Sequence, residues 1–132
     1  MFSLDVVSLS TKARTGGGSW LAEVVATLGL SLVVFGVVRS GRTGAAPFAV
    51  GAYIAAAYFF TSSTSFSNPA VTLGRILSDT FAGIAPASAL MFIGAQVVGG
   101  VIAIGAIRVL YPDVETVARQ AVLPRDELGD RG

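Results

Sequence analysis

The chain has 132 residues, of which 53% are hydrophobic and only 13% charged, and its mean hydropathy is +0.74. That charged share is about half the roughly 25% of soluble domains, so one small integral membrane domain is the expected class. There is no His and no Cys, and the net charge is +1. These facts exclude thiol nucleophiles, disulfides, imidazole bases and most zinc or haem sites, so no cofactor is expected, and they give no special attraction to nucleic acid.

Residues 1–19 mix a short apolar patch with Lys12, Arg14 and three glycines. A signal peptide places its basic region before its apolar one, so this order reads instead as a disordered tail. Residues 20–38 follow with a single charge, long enough for a first membrane span, with Trp20 as interfacial anchor and Arg39 and Arg42 as its stop. Glu23 inside that span has two readings. It either reaches the headgroup region, or it lies buried and accepts backbone N–H groups from a neighbouring loop, with Thr27 one turn on along the same face. A Gly-rich turn leads to a second span over about 45–62, opening at Pro47. There Gly51, Ala55 and Ala56 offer a small-residue packing face.

Between the second and third spans lies a hydroxyl-rich loop, residues 61–67, followed by Asn68-Pro69-Ala70. Asn is a good N-cap and Pro suits the first helical position, so a helix is predicted to start at Pro69. Ser78, Asp79, Gly83 and Pro86 confine it to about 69–77. A membrane crossing needs roughly 20 residues, so this is a re-entrant half-helix rather than a span. Residues 87–110 form the third span. Ala95, Gly99 and Gly100 line a small-residue groove, and the lone amide of Gln96 needs a hydrogen-bond partner, more often interhelical glue than a site. Residues 112–132 are polar and read as a disordered tail. Basic residues place the Arg39–Arg42 turn and the C-terminus in the cytoplasm and the N-terminus outside, in the inner cell membrane. The fold class is therefore all-α, with three transmembrane helices and one re-entrant half-helix.

The order of a span carrying Glu23 and Thr27, a short turn, a span opening at Pro47 with Gly51, the Asn68-Pro69-Ala70 loop and a further span resembles the second half of the major intrinsic proteins, the aquaporin and aquaglyceroporin channels. Residues 20–111 carry the resemblance. It implies one half of an inverted repeat, in which two half-helices meet tip to tip at the bilayer centre. It also implies that Asn68 donates to the permeating solute, that Pro69 and Ala70 pack the joint, and that Glu23 holds the loop, which favours its buried reading. Ser65 belongs to the loop whose carbonyls would line the pore. Tetramers are the oligomer that the resemblance implies.

Two departures bear on selectivity. Water- and glycerol-conducting members carry Arg directly after the second Asn-Pro-Ala, where this chain has Val71. Arg75, one turn nearer the mouth, is either a displaced filter charge or an interfacial arginine reaching the headgroups. The filter His of water channels has Tyr58 as its approximate counterpart. Residues 61–86 look most like the bacterial branch associated with arsenic resistance, which implies small neutral solutes such as water, glycerol or arsenite. Three spans and one half-helix make half a pore. The expected forms are a truncated chain without activity, a chain paired with a complementary first half, or a homo-oligomer of two copies inserted in opposite orientations in the lipid bilayer, against which the one-sided arginine bias argues. A non-channel membrane subunit is the alternative. An enzyme is not expected, because Glu23 and Asp79 have no nucleophile or base beside them in the sequence.

Overall fold

A computed structural model describes residues 7–113. These fold into α1 (Gly17–Arg39), a 3-10 turn at Thr43–Ala45, α2 (Ala46–Phe60), α3 (Pro69–Ile76) and α4 (Pro86–Leu110), and no strand occurs among the described residues. Gly17–Arg39, Thr43–Phe60 and Pro86–Leu110 are each long and apolar enough to cross a membrane. At 1.5 Å per residue the 23 residues of α1 reach about 34 Å, more than a hydrocarbon core of about 30 Å. The eight residues of α3 reach only about 12 Å.

The helices begin and end for local reasons. Pro47 and Pro86 sit in the first turns of α2 and α4, where a missing N–H costs nothing. At the end of α2 the chain turns extended at Thr61, whose N–H and hydroxyl both donate to the Ala57 carbonyl, at 2.8 and 2.7 Å. That doubled bond closes the helix and redirects the chain inward. The far ends of α1 and α4 meet through Tyr111, whose ring lies 5.2 Å from Phe35 and 4.9 Å from the Arg39 guanidinium.

α1 is the central helix, packing along α4 on one side and α2 on the other, while α3 rests on α4. Two glycines let these helices approach. A Cβ on Gly99 would stand 2.6 Å from the Val24 carbonyl oxygen and 3.0 Å from Thr27 Cβ. A side chain on Gly29 would occupy the place of the Tyr53 hydroxyl, which donates to the Ala26 carbonyl at 3.0 Å. The small-residue face predicted on α2 is not the packed one: Gly51, Ala55 and Ala56 are exposed, and α2 buries Ala57. The apolar core sits where the loop meets α4, built from Phe66, Ile84, Ala89 and Phe92 with Trp20 and Ile76 against it.

The largest difference from the sequence reading is at the N-terminus. Residues 8–14 are an ordered strap across the end of α3 and the connector that follows it. The N–H groups of Ser8 and Ser10 donate to the carbonyls of Leu77 and Ile76, at 3.2 and 2.8 Å. Asp79 accepts from the Thr11 N–H at 3.0 Å, and the Ala85 N–H donates to the Lys12 carbonyl at 2.8 Å. The physical reason is that the last carbonyls of a short helix and the irregular 77–85 segment carry polar backbone with no intrahelical partner, and the strap supplies it. Residues 1–6 of the expected tail, and 114–132 of the other, lie outside the described residues.

Candidate pore loop and half-helix

The site is built from the start of α3 backwards. Asn68 is the N-cap in extended backbone, and its side-chain oxygen accepts the Ala70 N–H at 2.8 Å. Because that oxygen is committed to an N–H donor, the amide orientation is fixed, and the NH2 end points away from the helix. Asn68 is exposed, and among the described residues its NH2 makes no hydrogen bond. Pro69, Ala70 and Val71 are exposed beside it. A free donor therefore stands at the positive end of a short helix dipole.

The loop before Asn68 is held in an uncommon shape. Thr64, Ser65 and Ser67 have φ of 61°, 47° and 50°, the left-handed region that disfavours side-chain-bearing residues. Such backbone persists where its surroundings over-determine it, and here they do. Glu23 is fully buried and accepts the N–H groups of Phe66, at 3.3 Å, and Ser67. The Gln96 amide donates to the same carboxylate at 2.9 Å and to the Thr72 hydroxyl at 2.8 Å. One amide on α4 thus joins the carboxylate on α1 to the first turn of α3. Gln96 is the eleventh residue of the 25 in α4, so the start of α3 lies near mid-span. Phe66 anchors the loop from the other direction, its ring 5.4 Å from that of Phe92.

With the Phe66 and Ser67 N–H groups taken by Glu23, the loop carbonyls are left over. Among the described residues no hydrogen bond reaches the carbonyl oxygens of residues 64–67. The hydroxyls turn the other way: Ser63, Ser65 and Ser67 are buried, and Ser65 and Ser67 share a 3.2 Å hydrogen bond. Whatever Ser65 offers outward is therefore its backbone, not its side chain.

The remaining predicted residues divide. Arg75 and Tyr58 do come together, the guanidinium donating to the phenol at 3.4 Å and lying 4.2 Å from the Phe66 ring centre. Thr27 does not support the loop. It packs against Gly99, and among the described residues its buried hydroxyl makes no hydrogen bond. The helical spacing that aligned it with Glu23 holds, but that face turns to α4.

Arg14 is the residue that sequence reasoning passed over. It is buried, and its guanidinium donates to the carbonyls of Gly83 at 2.8 Å, Phe81 at 2.9 Å and Ser63 at 3.3 Å. Its N–H donates to the Ser88 hydroxyl at 3.1 Å. Burial, and after it the neighbouring Arg75 charge, push the guanidinium below its ordinary value. A basic residue beside a glycine run gives no sequence signal of such a place.

Membrane-length helices around a half-helix, with a buried carboxylate fixing the loop before it, define an all-α membrane protein with a re-entrant element. The profile described as Major intrinsic protein matches residues 48–130. The chain is also 43% identical over 120 residues to Aquaglyceroporin AqpS of Rhizobium meliloti (strain 1021), a match covering 91% of this chain and 51% of that protein. The chain belongs to the major intrinsic protein family, whose members are membrane channels. It spans about half the length of the curated relative it matches. No solved structure matches it.

Proposed function

We propose that the chain forms one half of a passive channel for small uncharged solutes, such as water, glycerol or a trihydroxy metalloid like arsenite, completed by a complementary first-half chain. The observation that carries this reading is the clamp on the loop: Glu23 and Gln96 hold residues 66 and 67 so that the carbonyls of 64–67 stay unpaired beside the free Asn68 amide. A row of acceptors next to one donor matches hydroxylated solutes, which both donate and accept. Unpaired backbone at membrane depth is tolerated where it lines a water-filled cavity. Val71 puts an aliphatic side chain where the resemblance leads one to expect a filter charge, and Arg75 with Tyr58 is the polar group nearer the mouth. An aliphatic residue in place of a filter charge favours polyol-sized solutes over water alone. The resemblance to the arsenic-resistance branch and the aquaglyceroporin relative support the same solute class. In this reading the protein lies in the inner cell membrane with the Arg39–Arg42 turn in the cytoplasm, and it assembles as family tetramers do.

The test is stopped-flow flux of water, glycerol and arsenite in proteoliposomes holding the chain with a matching first half. Asn68→Asp keeps an equally good N-cap, so α3 stays formed. It removes the donor and adds a negative charge, and solute flux is expected to fall at least about tenfold, the equivalent of one hydrogen bond of about 1.4 kcal/mol. Unchanged flux in Asn68→Asp, or no flux from a correctly inserted pair, would point instead to a membrane subunit whose spans only pack against a partner.

A further inference from the structure

Three cations converge at the mouth of the loop. The Phe81 carbonyl accepts from both the Lys12 ammonium, at 2.8 Å, and the Arg14 guanidinium, at 2.9 Å. Arg14 and Arg75 both lie over the Phe66 ring, at 5.1 and 4.2 Å from its centre. All three side-chain hydrogen bonds of Arg14 end on backbone carbonyls and none on a carboxylate. Among the described residues, one buried guanidinium nitrogen of Arg75 has no partner. Of the acids near them among the described residues, Asp79 is engaged by Thr11, and Glu23 by the loop N–H groups and Gln96. A buried arginine is costly unless it is hydrogen-bonded, and here carbonyl dipoles and an aromatic face hold it without neutralising its charge.

We infer that Arg14 is a specificity-determining residue of the outer mouth, a fixed positive charge carried by the N-terminal strap that turns cations away where Val71 carries none. The inference rests on the channel reading above. Arg14 does not touch the solute. It acts through its field, reinforced by Arg75 and Lys12 and partly offset by Glu23, and its own burial keeps that field from being fully screened by solvent. Its hydrogen bonds to Ser63, Phe81 and Gly83 give it a structural role as well, so the test must vary charge at constant shape.

The chain has no cysteine, so Arg14→Cys offers a single thiol for modification. Reconstituted with a cysteine-free first half, it is treated with a cationic aminoethyl or a neutral ethyl methanethiosulfonate. Glycerol flux and dye-reported sodium and proton entry are then measured on the same vesicles. The two adducts are expected to pass glycerol within about twofold of each other, while the neutral one admits cations about tenfold faster, the scale of one unit charge at about 10 Å in a protein surface dielectric. Equal cation entry through both adducts would overturn the inference and leave Arg14 as a backbone clip. Should neither adduct pass glycerol, Arg14→Lys against Arg14→Gln makes the same comparison, and equal cation entry there overturns it too. Absence of water, glycerol and arsenite flux alike from the unaltered pair would instead sink the channel reading, and this inference with it.

Discussion

Glu23 shows how much a single buried group can organise. Its carboxylate accepts from three N–H donors, two on the loop and one on Gln96, and the loop it holds has three residues, Thr64, Ser65 and Ser67, in left-handed backbone. Glu23→Gln preserves size but turns an NH2 toward one of those donors. The loss of charge-assisted bonds and the donor–donor clash are expected to cost about 2 kcal/mol. Chemical unfolding of the detergent-solubilised protein measures this, and faster proteolysis within residues 61–67 should accompany it. Thr27→Val is the matched control on the same helix face. Its hydroxyl has no partner to lose, so replacing it with a methyl of similar shape should change stability by less than about 0.5 kcal/mol. Equal effects of the two substitutions would show that the carboxylate is not what holds the loop.

At the level of elements, the contact between α1 and α4 depends on which glycine faces it. Gly99 and Gly100 are neighbours on α4, and the sequence assigned both to one groove. Only Gly99 meets α1: a Cβ there would stand 2.6 Å from the Val24 carbonyl, whereas nothing lies within 4 Å of one on Gly100. Gly99→Ala must push the helices apart and is expected to cost about 1–3 kcal/mol. Gly100→Ala should be neutral or stabilising by up to about 1 kcal/mol, since alanine is the better helix former. Thermal unfolding of both variants in one detergent decides it, and similar midpoints would mean that the crossing is not close. The same contrast marks what was legible in the chain. The half-helix could be read because Asn68 and Pro69 are local signals, and the spans because apolar length is a local property. Glu23 was left between two readings by the residues themselves, and the family resemblance favoured the buried one. The strap could not be read, since its bonds are backbone N–H to carbonyls some 70 residues away, and hydrogen bonding of that kind leaves no periodicity. Arg14 was missed for the same reason, and Thr27 was placed on the right face but against the wrong neighbour.

For the molecule as a whole, the two ends of the helices differ in how their charges are disposed. One end carries the strap and the 77–85 connector, and its arginines are drawn inward: Arg14 is buried and Arg75 is half-buried over Phe66. At the other end Arg39 and Arg42 are exposed, and Arg108 stands in the last turn of α4. Free basic residues near span ends set orientation, so the Arg39–Arg42 turn should face the cytoplasm and the strap the outside. With no native cysteine, Thr80→Cys and Ser40→Cys each report one end from an exposed position. In intact spheroplasts a membrane-impermeant maleimide should label Thr80→Cys, and should reach Ser40→Cys only after permeabilisation. The reverse pattern would invert the assignment and put the three-cation cluster on the inner face. Labelling of both positions in intact cells would mean that copies insert in both orientations. Two opposed copies could then supply both half-helices of a pore, and the requirement for a separate first-half chain would fall away.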